Sequence, residues 1–295
     1  MHSHAETHEH RFSFGLFTTV VVIHVVLAVG IFAFAAPQTF RAELANPGMI
    51  LLWTFALGVP LSLFEYLYHR YLLHSSVLPF LGAMHEAHST HHGLTSVKAP
   101  VTPKEPTRMV EVRSEYPVEE EHQEESMMFP LFSLAIFYAL FLVLLAWPLK
   151  AIFPGQPIIL SVMLAVTLYY SAYELWHAVL HLPFERFWKP RLEGRMSRMF
   201  KRMYSFHLMH HWRPTANLAV VGFWGIALWD HAFRTHRRPQ NLPLDGAEVN
   251  YRDAEMAKPI WPISMLDKWQ PKMYKTSRAI ERGLMRLFWR RSTQS

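Results

Sequence analysis

Four long apolar segments dominate the pattern of hydrophobic and polar positions along the chain. They cover residues 12–36, 49–68, 127–153 and 157–181. The first contains no Asp, Glu, Lys or Arg, and at about 1.5 Å per helical residue it exceeds the roughly 30 Å hydrocarbon core of a bilayer. The last two are separated only by Pro154, Gly155 and Gln156, which predicts a helical hairpin. The pattern therefore predicts an all-α protein with a four-helix transmembrane bundle.

The first segment has a competing interpretation as a cleaved signal peptide. A signal peptide has a shorter apolar region, which is followed by a cleavage site of small residues. Residues 35–40 match such a site only weakly. We therefore interpret residues 12–36 as a membrane span.

The remaining segments are polar. Residues 1–11 form a His-rich N-terminus, with His2, His4, His8 and His10, which we expect to be disordered with casual affinity for metals. Residues 93–126 are a Pro- and Glu-rich insert, expected to be a solvated loop, with a lid or a docking surface as the alternatives. Residues 240–295 form a basic interfacial tail after a membrane-embedded domain at 12–239. Within it, residues 272–291 space apolar side chains as an amphipathic helix on anionic lipid would.

Composition narrows the class of protein. The chain is 51% hydrophobic, yet it is 18% charged and its mean hydropathy is only +0.06, so apolar and polar residues are segregated. This excludes a disordered or fibrous protein. No Cys is present, which excludes disulfides, zinc-thiolate sites, iron-sulfur clusters and thiolate-ligated haem. The charge of +6 is compatible with nucleic acid or an anionic membrane, and the apolar segments favour the membrane, with no nucleic acid as partner.

The distribution of Lys and Arg predicts the orientation. If the N-terminus is cytoplasmic, the outside loops contain only Arg41 and Lys150, whereas most of the 29 Lys and Arg residues follow the fourth segment. Positive charge marks the cytoplasmic side. Both termini are therefore expected in the cytoplasm, in a bacterial inner membrane or in the endoplasmic reticulum.

Histidine is the most unusual feature, with 19 residues. Ten of them fall into four groups that lie at the predicted cytoplasmic ends of spans or in the basic region after the fourth. We call these groups box 1 (His69, His74), box 2 (His88, His91, His92), box 3 (His177, His181) and box 4 (His207, His210, His211). A single histidine is more often structural than a ligand, but ten in chelating groups point to a metal site. We expect these boxes to form a cytosolic helical cap on the bundle.

The spacing within the boxes suits chelation. Helical residues three or four apart share a face, so His177 and His181 can point at one ion. A run of the form H-x-x-H-H places its three histidines on one side of a helix, and two such runs brought together would surround two metal ions. His69 and His74 are five apart, about 140° on a continuous α-helix. We therefore expect the helix to break or end between them, so that His74 reaches the site from a turn.

Several residues near the boxes are candidates to support the ligands. Glu65 and Glu174 precede His69 and His177 by four and three residues, and each is expected to accept the second N–H of a ligand imidazole, with a helix–helix hydrogen bond as the alternative. His85 shares a helical face with His88, so it either supports a ligand or faces the substrate. His24 is expected to be a polar residue of helix packing. Imidazole ligands alone suit zinc, copper, iron or nickel.

The boxes together resemble the fatty acid hydroxylase/sterol desaturase superfamily of integral-membrane di-iron oxygenases, and most closely its fatty acid 2-hydroxylase branch. The matching stretches are EYLYHRYLLH (65–74), HSTHH (88–92), YELWHAVLH (173–181), FHLMHH (206–211), and a closing segment of Asn217 and LWDHAFRT (228–235). The resemblance implies that the ten boxed histidines bind two iron ions, with zinc able to substitute, and that O2 is a co-substrate. It also implies that Asn217 and Asp230 support this centre, and that a substrate tunnel opens toward the membrane.

The chain departs from that family at several points. No cytochrome b5 domain is present, so the resemblance implies a separate electron donor, either cytochrome b5-like or ferredoxin-type. Ala219 and Arg234 occupy positions where glycine is common in the family, and the insert after box 2 is unusual for the branch.

The resemblance implies hydroxylation of a fatty acyl, sphingolipid or related apolar lipid. Attack on an unactivated C–H bond requires a redox metal and O2, which agrees with a metal site built from the boxes. Desaturation by the same centre is the nearest alternative. A metal transporter is a second alternative, which would place ligands near the bilayer midplane with access from both faces. A metal-dependent hydrolase is the third. It would need a carboxylate ligand or a free base, for which Asp230 and Glu86 are the nearest candidates.

Overall fold

The computed structural model describes residues 13–99, 104, 107–113, 128–182, 184–238 and 247–292. Within these residues, four helical segments are long and apolar enough to cross a membrane, as predicted. We call them spans 1 to 4: Phe14–Ala35, Pro47–Leu73, Ser133–Ile152 and Ile158–Leu180. The predicted fold class, an all-α bundle with a helical His-rich cap and an amphipathic C-terminal helix, is confirmed. The N-terminal residues 1–11 lie outside the described residues.

The helices follow one another with few strands between them. The α-helices in chain order are α1 Phe14–Ala35, α2 Pro37–Leu44, α3 Pro47–Tyr68, α4 Gly82–Leu94, α5 Ser133–Phe141, α6 Trp147–Ile152, α7 Ile158–Leu180, α8 Lys189–Glu193, α9 Ser197–Trp212, α10 Leu228–Ala232 and α11 Ile263–Ser292. The π-helical stretches are His69–Leu73, which continues α3, Leu142–Ala146, which joins α5 to α6, and Phe184–Trp188. A 3-10 turn covers Tyr251–Ala254. Helix α2 was not predicted, and span 3 begins six residues later than expected because turns around Pro130 precede it.

The bundle is held together by an apolar core between spans 2, 3 and 4. Leu61, Leu134, Ile158 and Val166 are at most 2% exposed in this core. Span 1 is more peripheral, because Phe17 is its only buried residue and many of its apolar side chains, among them Val26, Ile31 and Phe34, are exposed. Such an outward apolar surface is expected of a helix that faces lipid.

The end of the bundle remote from the boxes is held by a buried ion pair. Lys150 Nζ lies 2.6 Å from Glu43 Oε1, and the Leu160 backbone N–H donates to Glu43 Oε2 at 2.9 Å. The pair ties α2 to spans 3 and 4, and it neutralises Lys150, one of the two cations predicted for the outside loops.

The cap at the other end is built on a second apolar core of Trp188, Tyr204, Leu208 and Met209. Part of the insert at 93–126 contributes to it, which corrects the expectation of a solvated loop. The strands are β1 (Ser96–Lys98), β2 (Thr107–Met109), β3 (Glu111–Arg113) and β4 (Glu248–Asn250), with antiparallel pairs β1–β3 and β2–β4. Val110, between β2 and β3, is 2% exposed, because alternate apolar residues of the insert pack on the cap. Residues 100–103, 105–106 and 114–127 lie outside the described part of the chain.

Helix α11 begins at Ile263, nine residues earlier than the amphipathic helix predicted in the tail. Its first turns, which precede the predicted interfacial helix, are docked on box 1. Asp267 accepts two hydrogen bonds from the Arg70 guanidinium, at 2.9 and 2.7 Å, and one from the Tyr71 hydroxyl at 2.8 Å. Farther along, Glu281 accepts from the Phe80 backbone N–H at 2.7 Å. Because Arg70 directly follows His69, this helix is attached next to the candidate site.

Replacing the carboxylate of Asp267 should loosen this attachment. In Asp267→Asn the buried Arg70 cation loses a charged partner, which costs about 2 kcal/mol. We expect faster hydrogen exchange of the backbone amides of 263–282 in the detergent-solubilised protein. Glu185→Gln, which removes the exposed pair with Lys189, is the matched control and should change nothing at α11. Unchanged exchange in Asp267→Asn would show that the helix is held by other contacts.

Candidate metal centre

The structure brings the ten boxed histidines together at one end of the bundle. Their rings form two adjacent groups, each with ligand atoms within 4.8 Å of one another. Group A consists of His69, His74, His88, His92 and His210, and group B of His91, His177, His181 and His207. His211 joins group B through its Nε2, which lies 3.1 Å from His207 Nε2. The two groups meet at the His210 and His211 rings, whose centroids are 5.9 Å apart.

Boxes 2 and 4 each divide their histidines between the groups. On α4, His88 and His92 belong to group A and His91 to group B. On α9, His207 belongs to group B and His210 to group A. Residues three and four apart on a helix are close but about 40–60° apart around the axis, so one H-x-x-H-H run can serve two neighbouring sites. The sequence predicted two ions between two such runs, but not this exchange.

A widened helical turn positions box 1. We expected the helix to break or end between His69 and His74, and it ends at Leu73, so that His74 lies in a turn. The helix does not break before that point, because the π-helix His69–Leu73 continues span 2. The His74 backbone N–H donates to the His69 carbonyl at 3.1 Å, the i to i+5 pattern of a π-helix. This pattern brings residues five apart to the same face, and the two rings stack with centroids 5.1 Å apart. His74 is the residue that ends the helix, as expected of a ligand that comes from a turn.

Backbone carbonyls fix several of the rings. His69 Nδ1 lies 2.6 Å from the Leu218 carbonyl oxygen, His210 Nδ1 lies 2.9 Å from that of Ala216, and His211 Nδ1 lies 2.7 Å from that of Thr95. A carbonyl only accepts, so each Nδ1 carries the proton. In a neutral ring the Nε2 atom then presents a lone pair, and these lone pairs point into the groups.

Burial keeps these rings neutral. Outside the membrane spans, removal from water lowers the pKa of His74, His88, His92 and His211 well below its ordinary value, with neighbouring imidazoles as a further cause. Burial likewise lowers the pKa of His210 to about 4. At neutral pH these side chains are therefore uncharged and available as ligands.

The donor atoms fit bound metal better than they fit one another. His88 Nε2 lies 3.2 Å from His69 Nε2, 3.1 Å from His74 Nε2 and 3.1 Å from His92 Nε2. One nitrogen can donate at most one proton, so most of these contacts oppose lone pairs. Nitrogens that bind one ion at about 2.1 Å lie about 3.0 Å apart when at right angles. The spacing therefore matches a set of imidazoles around a cation.

In group B, the ring of His91 also points to a metal ligand. Both ring nitrogens of this residue are buried, and neither has a hydrogen-bond partner among the described residues. An unpaired buried polar atom costs about 1–3 kcal/mol. Coordination of a metal ion through one nitrogen would remove much of that cost. Both groups can thus hold a metal ion.

Among the contacts of the described residues, neither Glu65 nor Glu174 accepts a hydrogen bond from a ligand imidazole, so the first expectation is wrong. The alternative, a helix–helix hydrogen bond, holds for Glu65, which joins span 2 to Tyr169 of span 4. The Glu65 carboxylate accepts the backbone N–H groups of Val220, Val221 and Gly222 at 2.7–2.9 Å and the Tyr169 hydroxyl at 2.5 Å. Glu174 accepts from the Phe129 backbone N–H at 3.4 Å. The acceptor oxygens of Glu65 therefore bind the backbone of residues 220–222, a segment whose position next to Glu65 could not be predicted from sequence spacing.

Asp230, like Glu65, accepts hydrogen bonds from the backbone of the segment after box 4. Its carboxylate accepts the Leu218 and Ala219 backbone N–H groups, both at 3.0 Å, and the Thr235 hydroxyl at 2.8 Å. Together, Asp230 and Glu65 hold five consecutive N–H groups, those of residues 218–222. Since the Leu218 carbonyl accepts from His69, the two carboxylates support this ligand through the backbone. Asp230 was expected to support the centre, and this is how it is placed to do so.

The other candidates lie around this segment. Asn217 has φ +52, and its side chain binds the Phe206 carbonyl oxygen and the Arg237 backbone, which fixes the start of the segment. His85 lies outside both groups, with Nδ1 2.6 Å from the Leu73 carbonyl oxygen, so it packs beside box 1. His24 binds the Val20 carbonyl of its own helix, remote from the boxes.

Sequence reasoning missed Arg70 as a part of the site. Its guanidinium is 8% exposed, and besides Asp267 it donates to the Thr215 carbonyl at 3.0 Å, next to the Ala216 carbonyl that accepts from His210. Arg70 therefore ties box 1 to the segment that follows box 4. The signal that could have drawn attention to Arg70 was the presence of a cation in the largely apolar sequence around box 1.

Comparisons with protein-family models, with curated proteins and with solved structures found no match for this chain. Its functional interpretation therefore depends on the geometry of the two histidine groups and on the motifs of the sequence.

Proposed function

We propose that the protein is a membrane-bound di-iron oxygenase that hydroxylates a lipid, using O2 and electrons from a separate carrier. The observation that carries this proposal is the pair of adjacent, imidazole-only groups at the ends of membrane spans. The order of the four His boxes, which resembles that of the fatty acid hydroxylase/sterol desaturase superfamily, supports the choice of iron. Zinc would suit the same ligands.

When bound, the two irons would supply the redox chemistry with O2 that an unactivated C–H bond requires. The protein's own contribution is to hold and orient. Backbone carbonyls fix His69, His210 and His211 by their Nδ1 protons, and burial keeps water from the rings. Preorganised ligands of this kind need no rearrangement when the site is used.

The position of the site favours a substrate that arrives from the bilayer. Span 4 carries His177 at its end, and the Tyr173 ring one turn earlier lies 5.8 Å from the His177 ring. Tyr173 also lines a small apolar cavity of about 50 Å³ between spans 2, 3 and 4, together with Phe64, Tyr68 and Phe129. Tyr173 therefore borders both an apolar cavity in the membrane region and the His177 ring of group B.

The same geometry speaks against a transporter or a hydrolase. The groups lie at the end of the spans, whereas a transporter site would be expected near the midplane. A hydrolase would need a carboxylate near the metal. Asp230 is fully engaged with Leu218, Ala219 and Thr235, and Glu86 is exposed.

We further propose that the cap faces the cytoplasm, since most Lys and Arg residues lie at that end. Arg195, Arg198 and Lys201 are exposed around the start of α9, close to group B in sequence. This basic surface would suit an acidic electron carrier, either cytochrome b5-like or ferredoxin-type.

Lipid mass spectrometry tests the reaction. Cells that express the intact chain should accumulate a lipid heavier by one oxygen, and cells that express His177→Ala should not. Loss of two hydrogens instead would identify desaturation by the same site. An active His177→Ala variant would contradict both.

A further inference from the structure

A hairpin after box 4 runs back toward the membrane. Residues 217–227 leave the cap and pack along span 2, where the Trp224 indole N–H donates to the Phe55 carbonyl at 2.9 Å and the Phe223 ring lies 5.2 Å from the Phe55 ring. Phe55 precedes His69 by 14 residues of helix, which corresponds to about 20 Å. The hairpin tip therefore lies well inside the depth that span 2 crosses.

Backbone at membrane depth needs internal hydrogen-bond partners and is found where it is buried or lines a cavity. Both conditions apply here. Glu65 accepts three N–H groups of the hairpin, and the other side of the hairpin lines a groove of about 1020 Å³. A volume of this order suits a ligand of drug or lipid size.

The inner wall of the groove is apolar. It is formed by the end of span 4, by α9 and by the hairpin, with Leu175, Trp176, Val179, Phe206, Val220 and Ile226 among the lining residues. Trp176 and Phe206 directly precede the ligands His177 and His207, so the groove runs beside group B. An acyl chain is the kind of ligand that such a wall, reached from the bilayer, would bind.

The outer end of the groove is cationic. Arg202, Arg237 and Arg238 line it, and no Asp or Glu does so among the residues that the structure describes. The Arg237 guanidinium is held by the carbonyls of Asp253 and Arg252, which fixes its position. Arg202 and Arg238 have no ion pair with the described residues. Burial, together with His231 and Arg238, lowers the pKa of His236 to about 4, so the His236 ring adds no positive charge to that of the arginines at neutral pH.

We propose that this groove binds an acyl lipid with an anionic headgroup, with the chain along the hairpin and the headgroup at Arg202, Arg237 and Arg238. Arginine forks match phosphate and carboxylate oxygens well, and the apolar wall continues from them into the membrane region. The lipid's role as the substrate rests on the proposed function, but its binding does not.

Native mass spectrometry of the full chain in detergent tests the proposal with two single-chain probes. 1-Oleoyl lysophosphatidic acid should bind at least about tenfold more tightly than 1-oleoyl lysophosphatidylcholine, which has the same chain and no net charge. The double variant Arg202→Gln/Arg238→Gln should remove most of this preference. The matched control Arg195→Gln/Arg198→Gln removes two exposed cations that lie near Arg202 in sequence but do not line the groove. This control should retain the preference for lysophosphatidic acid.

A variant of the apolar wall tests the chain's position. Ala172→Trp fills the part of the groove that lies deepest along span 4 and should weaken both probes while leaving the metal content unchanged. Inorganic phosphate at the same concentration should not displace the lipid. The proposal is overturned by equal binding of the two probes to the intact chain, by an equal loss in the control variant, or by displacement with phosphate.

These outcomes are separable from those of the proposed function. Selective binding without any lipid oxidation would contradict the oxygenase and leave the groove assignment standing. Lipid oxidation without selective binding would support the oxygenase and contradict the groove assignment.

Discussion

Alanine at His210 should remove the metal of group A and abolish lipid oxidation, and alanine at His177 should do the same through group B. Each ring is one of four or five candidate donors whose ligand atoms lie within 4.8 Å of one another, so its loss would remove a ligand and leave a cavity beside the remaining ring nitrogens. Metal content should fall from about two ions per chain to about one or fewer in each variant. Elemental analysis and lipid mass spectrometry give the two readouts.

The control for this experiment is a histidine outside the boxes. His24 lies in span 1, and its hydrogen bond among the described residues is to the Val20 carbonyl of its own helix. His24→Ala should therefore keep the metal content and the activity of the intact chain. Equal metal loss in His24→Ala and His210→Ala would mean that the variants act through folding, and full activity of His210→Ala would contradict the assignment of group A.

Removal of the Glu65 carboxylate should have the largest effect on stability. In Glu65→Ala the N–H groups of Val220, Val221 and Gly222 lose their acceptor at membrane depth. Each such unpaired group costs about 1–3 kcal/mol, so the total reaches at least about 3 kcal/mol. Since Leu218 lies in the same segment and holds His69, we expect a lower thermal midpoint and reduced metal content in group A. Thermal unfolding in detergent and elemental analysis measure the two effects.

Glu174→Ala is the matched control, because it also removes a buried carboxylate from a span just before a His box. Glu174 accepts one long hydrogen bond, from Phe129, so its loss should cost about 1 kcal/mol and spare the metal. If the two variants destabilise the protein equally, Glu65 does not have the special role in the hairpin that we assign to it.

Much of the fold followed from hydropathy. A span of some 20 apolar residues has few alternatives to a membrane helix, and the four predicted spans agree with the structure within a few residues at most ends. Chelation within one helix was also predictable, because the pairs His177/His181 and His207/His211 depend only on helical spacing.

Contacts between distant segments were not predictable in the same way. Sequence spacing placed Glu65 near His69, but it could not show that the Glu65 carboxylate binds the backbone N–H groups of residues 220–222 instead. It predicted that the helix breaks or ends between His69 and His74, and the end at Leu73 agrees, but the π-helix that brings the two rings to one face was not predicted because an α-helix was assumed. The docking of α11 depends on Asp267 meeting Arg70, two residues that are 197 positions apart, and no local pattern marks such a pair.

The most direct test is elemental analysis of the purified intact chain after reconstitution with ferrous iron, combined with X-ray absorption at the iron edge. We expect about two irons per chain, each surrounded by imidazole nitrogens at about 2.1 Å. A chain that retains no metal, or whose iron is bound mainly by carboxylate oxygen, would contradict the assignment of the two histidine groups as a dinuclear centre.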